Sequence, residues 1–194
     1  MKISERKLEK TLYQVGKSIK NEPVEYGAVI NPNTGILQLC RRGKEYEVPL
    51  SKKEKSSLRN MIFLHNHPEE SPVSGGDVAA AFQHKLNRLI VITKKYFISM
   101  KIPDNFNSRT LPKDLIKEVN QVCKNYFGSK KSIQNLPFIR KYINYCKIQE
   151  NRLERELSKD RPVQEFWDDV WKRFAEGIPG CEYKKKRIKS GKNS

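Results

Sequence analysis

"MIFLHNHPEESPVSGGDVAAAFQHKL", residues 61–86, is the stretch that decides the fold. Its first five residues are a compact apolar run, the pattern of a buried strand. The loop from Asn66 to Gly75 is rich in Pro, Ser and Glu. From Gly76 onward the sequence reads as a helix, with alanines that allow close packing. Two of the chain's three histidines, His65 and His67, sit where the strand meets the loop. Residues i and i+2 of a strand point to one face, so the two imidazoles can converge on one ion. Pro68 fixes the backbone just beyond them, and Asp77 falls in the first turn of the helix, able to offer a carboxylate to the same point. Two neutral imidazoles and a carboxylate make a catalytic zinc set with a fourth position open for water. Ser74 stands three residues before Asp77. It either caps the helix, as in a capping box, or reaches the metal-bound water or a substrate oxygen with its hydroxyl.

Outward from this stretch the pattern alternates strands and helices. Residues 4–20 carry Leu8, Leu12, Val15 and Ile19 at helical spacing, with Ser4 as N-cap. Val24–Ile30 reads as a strand, "NPNTG" as a turn, Ile36–Cys40 as the return strand and Glu45–Val48 as a third short one. Residues 51–58 form a short helix or loop. After the metal stretch, "RLIVIT" and "YFISM" are two more strands around a Lys94–Lys95 turn. Past Pro103 the texture becomes helical, over residues 112–127, 137–158 and 162–175. The last of these carries Val163, Phe166, Trp167, Val170, Trp171 and Phe174, the strongest amphipathic stripe in the chain.

Composition bounds the rest. The 194 residues suit one mid-sized domain with a helical appendage, and 37% hydrophobic content is lean but workable for a core. No stretch approaches the roughly 20 apolar residues of a membrane helix. The opening "MKISERKLEK" lacks the apolar core of a secretory signal, so a soluble, cytoplasmic protein and no membrane partner are expected. The four cysteines form no CxxC, which disfavours a disulfide framework or an all-cysteine zinc knuckle. The net charge is +17, with 18 Lys+Arg against 10 Asp+Glu up to Pro103 and 21 against 12 after it. An excess spread over both halves, ending in the basic "YKKKRIKSGKNS", suits contact with nucleic acid or another polyanion.

Scarcity of histidine narrows the metalloenzymes. Amidohydrolase-like and PHP-type phosphoesterases need several further histidines, and only His84 remains, seven residues past Asp77 on the helix. An HNH nuclease finger needs a histidine downstream of Asn87, and the chain has none there.

"HNHPEESPVSGGD" resembles the metal motif of the JAMM (MPN-plus, Mov34-type) metallopeptidases, including their RadC-like bacterial branch. That family carries an upstream Glu, then His-x-His-Pro, then a Ser with an Asp three later. The resemblance puts His65, His67 and Asp77 on the zinc positions and Ser74 on the motif serine. Six residues separate His67 from Ser74, where many members have seven, a shortening met in phage-associated and bacterial members. The family's general base is a glutamate shortly before a glycine on an early strand, and Glu25 of "EYG" matches best. Glu22, Glu45 and Glu47 are the competitors.

The resemblance covers about residues 20–102. It implies an α/β fold: a mixed, mostly antiparallel sheet flanked by helices (a JAMM/cytidine-deaminase-like core), to which the helical pattern past residue 103, with no counterpart in the family, adds a C-terminal helical extension. The expected domains are 1–103 for the metallopeptidase, 104–182 for the helical extension and 183–194 for a disordered basic tail. The implied activity is zinc-dependent hydrolysis of a peptide or isopeptide bond in a protein or peptide substrate, with Glu25 as base and Ser74 at the oxyanion. Two alternatives stay open. One is a RadC-like nucleic-acid-binding protein that keeps the fold and the zinc with little peptidase activity. The other is a phage or mobile-element assembly protein whose helical region docks a protein partner.

Overall fold

The computed structural model describes residues 2–44, 47–68, 73–104 and 163–188. The chain begins with helix α1, Glu5–Ile19, capped by Ser4, whose hydroxyl accepts the Lys7 N–H. Strands β1 (Tyr26–Ile30) and β2 (Leu37–Arg42) form a hairpin, followed by the short helix α2, Lys52–Ser56. Next come β3 (Ile62–Asn66), helix α3 (Gly75–Gln83), β4 (Arg88–Ile92) and β5 (Tyr96–Lys101). Helix α4, Val163–Glu176, and strand β6, Glu182–Arg187, close the described chain. The six strands form one sheet in the order β2-β1-β3-β4-β5-β6. Every pair is antiparallel except β3–β4, which α3 connects as a crossover. The expected mixed, mostly antiparallel sheet flanked by helices is present.

Each face of the sheet carries its own core. On one side, Leu8, Leu12 and Ile19 of α1 pack on Ala28, Ile30, Ile62, Leu64, Ile90 and Ile92. The helix lies close because Gly16 has no side chain; a Cβ there would sit 2.8 Å from Ile92 Cδ1. On the other side, α3 and α4 cover Val29, Leu89, Val91, Ile98 and Met100. Trp171 and Phe174 are fully buried in this layer, and each meets a neighbouring ring edge-on, Trp171 against Phe174 and Phe174 against Phe82.

The expected division after residue 103 does not hold. Helix α4 is part of the main core, and the Trp171 indole N–H donates to the Val73 carbonyl at 3.1 Å, just ahead of α3. The expected disordered tail is likewise corrected over its first residues. Glu182–Arg187 pairs along the whole of β5, Tyr96 opposite Arg187 through Lys101 opposite Glu182. This basic run folds because Asp168 of α4 bonds both the Tyr183 hydroxyl and the Lys185 ammonium. Lys185 also sits 4.2 Å over the Tyr96 ring. As an edge strand β6 exposes its other lysines, which discourages pairing with a further chain.

Some boundaries shift. Strand β1 starts at Tyr26 rather than Val24, and β2 runs to Arg42. Glu47 and Val48 of the expected third strand lie in no strand; the Glu47 carbonyl accepts the Lys44 N–H at 2.8 Å. Glu45 and Tyr46, the helices expected over 112–127 and 137–158, and residues 189–194 lie outside the described residues. No helix among the described residues is long and apolar enough to cross a membrane.

Candidate metal centre

The C-terminal ends of the parallel pair β3–β4 form one rim of the sheet, the place where open α/β sheets collect ligands. His65 is the penultimate residue of β3, and His67 follows just past its end. The His67 N–H still bonds the Ile92 carbonyl of β4 at 2.8 Å, so the two histidines keep strand spacing and one facing. Both are buried. Asp77 comes from the first turn of α3 and is fixed by a reciprocal box with Ser74. The Ser74 hydroxyl accepts the Asp77 N–H at 3.1 Å, and Asp77 Oδ2 accepts the Ser74 N–H at 2.8 Å. Ser74 therefore acts as the helix cap, one of its two expected roles, and it sets the carboxylate.

The three side chains converge. His65 Nε2 and His67 Nε2 are 3.0 Å apart. Asp77 Oδ1 lies 3.3 Å from His65 Nε2, and its Oδ2 lies 3.5 Å from His67 Nε2. Among the described residues they form the one His/Cys/Asp/Glu group with donors close enough to share a metal ion. Zinc bonds of about 2.0–2.1 Å at tetrahedral angles put ligand atoms about 3.3–3.4 Å apart, so the spacing fits. The donor chemistry fits as well: two imidazole nitrogens and one carboxylate. The other nitrogen of His65, Nδ1, is buried with no hydrogen-bond partner, leaving Nε2 as that ring's one engaged nitrogen.

Glu25 completes the group. It lies just before β1, and the β1–β3 register, Gly27 opposite His65, carried two residues on sets Glu25 against His67. Its carboxyl reaches 3.9 Å from His67 Nε2, and the side chain is 12% exposed. Gly27 keeps this approach clear, since a Cβ there would meet Val48 Cγ1 at 2.7 Å and the Phe63 ring at 3.0 Å. Of the competitors, Glu47 is 61% exposed and paired with Lys44 at 3.0 Å. Glu22 is represented at the site only by its backbone carbonyl, a partner of Asn66. A cavity of about 200 Å³ opens beside the group, lined by Glu25, His65 and Asp77 and by apolar Val48, Leu50 and Phe63. His84, the C-cap of α3, also lines it but stands outside the donor cluster.

The charges are poised by this packing. Burial pushes the Glu25 carboxyl up to about 7; the His65 charge opposes this, and the Asp77 and Glu47 charges add to it. Burial works against the charged form of Asp77 too, but His65, His67 and the Ser74 bond outweigh it and hold the carboxyl well below the usual range. Burial likewise disfavours a charged His65, yet the Asp77 carboxylate, with help from Glu25, raises its pKa above the ordinary imidazole value. His84 is lowered by burial and by the Lys55 charge.

No protein-family model matches this chain, and neither does any curated protein or solved structure. The geometry therefore stands on this chain's own residues. Sequence reading placed Glu25, His65, His67, Ser74 and Asp77, and these are the residues the fold gathers, Ser74 through its bonds to Asp77. It passed over Asn66, between the two histidines, whose buried carboxamide bonds the backbone of residues 22–26. It put Trp171 on the amphipathic stripe without its contact at the start of α3. Neither role leaves a local signal, because the partners lie 40 to 98 residues away in sequence.

Proposed function

We propose that the protein is a zinc-dependent hydrolase of peptide or isopeptide bonds, with a JAMM-like core around His65, His67 and Asp77. One observation carries this reading: two buried imidazoles and the part-buried Asp77 carboxylate spaced 3.0–3.5 Å apart, with a desolvated carboxyl, Glu25, 3.9 Å from one of them. Zinc held by His65, His67 and Asp77 would supply a Lewis acid and lower the pKa of water toward neutrality. Glu25 takes a proton from the attacking water and returns it to the leaving amine; a base with a pKa near 7 suits both transfers at neutral pH. Ser74 holds Asp77 through its oxygen and keeps its own hydroxyl proton for the developing oxyanion. Loss of one such donor typically lowers the rate about 100- to 1000-fold. The cavity accommodates the substrate beside the group, between Glu25 and the Val48–Phe63 wall.

The test is metal analysis together with one variant. Protein never exposed to chelator should carry about one zinc per chain. Glu25→Ala should keep that zinc and lose hydrolysis, whereas His65→Ala and Asp77→Ala should lose the zinc. A zinc-free wild type sinks the site, and a Glu25→Ala protein that cleaves at the wild-type rate sinks the assigned base. A second reading, nucleic-acid binding, is favoured by the exposed Lys184, Lys186 and Arg187 on the β6 edge. A salt-dependent DNA shift without hydrolysis would favour it over the first.

A further inference from the structure

Asn66 stands between the two histidines and is fully buried. Its carboxamide is directed at one short piece of backbone. Oδ1 accepts the Tyr26 N–H at 2.6 Å, and Nδ2 donates to the Val24 carbonyl at 3.1 Å and the Glu22 carbonyl at 3.4 Å. These partners bracket Glu25 on both sides. The β1–β3 register ends at Gly27 opposite His65, and the His67 N–H turns to Ile92 of β4. Where the ladder stops, the Asn66 side chain takes over. On its other side Glu25 is held by the β2 end, its N–H donating to Lys44 at 3.0 Å and its carbonyl accepting from Gly43 at 2.7 Å. The β2 bonds fix Glu25 to its own hairpin. The Asn66 bonds refer it to the strand that bears both histidines.

The residue type is demanding. An aspartate would set an oxygen against two carbonyl oxygens, and a glutamine would need room for one more methylene. A carboxamide of this length supplies one acceptor and two donors, and the site uses both kinds. We propose that Asn66 is a positioning residue: it fixes the Glu25 segment against the His65–His67–Asp77 cluster and acts on hydrolysis through Glu25. The rate consequence rests on the hydrolytic reading above; the strap does not.

The experiment uses the full chain and reads both. In amide hydrogen exchange, Asn66→Ala should lose protection at Tyr26 while the β3 and β4 amides exchange as in wild type. Unchanged exchange at Tyr26 overturns the strap. With a degenerate quenched-fluorescence peptide library as probe, Asn66→Ala should lower kcat roughly 10- to 100-fold at similar KM and unchanged zinc content, since a misplacement of about 1 Å can cost 100-fold. The Glu25→Ala/Asn66→Ala double variant should then be no slower than Glu25→Ala alone. If the two losses multiply instead, Asn66 does not act through Glu25, and the positioning role is overturned. If wild type cleaves nothing, the hydrolytic reading fails, and Tyr26 exchange still decides whether Asn66 holds the segment. Should Asn66→Ala fail to fold, Asn66→Ser, which leaves a polar group and room for water, is read by the same measurements.

Discussion

Glu25→Gln should stabilise the metal-free protein, and only above mildly acid pH. Burial holds the Glu25 carboxyl at about 7 against an ordinary 4.5. A carboxyl raised by folding gives its full stability below the unfolded value and loses it as pH climbs through the folded one. Above pH 7 the ionised side chain therefore costs up to about 3.4 kcal/mol, at roughly 1.36 kcal/mol per pH unit. The side chain keeps 12% of its exposure and lines a cavity. Water screens part of that figure, so about 2–3 kcal/mol is expected. Glutamine has the same shape and no charge, so it removes the penalty. Urea denaturation with chelator present, at pH 4.5, 6 and 8, measures it. The two proteins should agree within about 0.5 kcal/mol at pH 4.5, the spread of an ordinary surface change. The variant should pull ahead through pH 6 and level off by pH 8. Restoring zinc should narrow the gap, because a cation beside the carboxylate offsets its burial. A gap of the same size at all three pH values would refute the buried carboxyl and, with it, the poised base.

Three further substitutions probe the frame around the site. Trp171→Phe keeps an aromatic ring in the core but leaves the Val73 carbonyl without its 3.1 Å donor, so urea denaturation should show a loss of about 1–3 kcal/mol. Trp171→Ala adds a cavity at a fully buried position, for about 3–5 kcal/mol by the same measurement. Gly27→Val brings a Cβ to 2.7 Å from Val48 Cγ1 and 3.0 Å from the Phe63 ring, and thermal denaturation should show about 1–3 kcal/mol lost.

What was legible in the sequence was local. His65 and His67 share a face because strand spacing requires it, and Asp77 reaches them because a capping box fixes the third residue of a helix. Glu25 was legible only through the resemblance, by the glycine two residues on, and in the fold Gly27 pairs with His65 where a Cβ would meet Val48 and Phe63. The α1 face read correctly because a single stripe of Leu8, Leu12 and Ile19 meets one sheet. Asn66 carried no signal of its own because its value depends on backbone 40 residues earlier. Glu47 and Val48 of the expected third strand misread for a similar reason: "EYEV" has strand character, but Gly43 and Lys44 ahead of it bond back on Glu25.

The C-terminal elements show most clearly how distant pairing overrides local pattern. "EYKKKR" reads as solvated charge until Asp168, on a helix of its own, bonds Tyr183 and Lys185 and makes one face of the run compatible with a sheet. Residues that alternate inward and outward then extend β5 along its full length. The same helix that supplies Asp168 also supplies Trp171, one helical turn further on, which holds the Val73 carbonyl at the end of the metal loop. One face of α4 thus links the sixth strand to the residue just ahead of Ser74, the cap that sets Asp77. The amphipathic stripe was visible from the start. Its destination follows only from the sheet: in the layer opposite α1, one core joins α3 and α4 over Val29, Leu89, Val91, Ile98 and Met100. A chain ending near residue 103 would leave that apolar face in water, so the helix that returns belongs to the same cooperative unit as His65, His67 and Asp77.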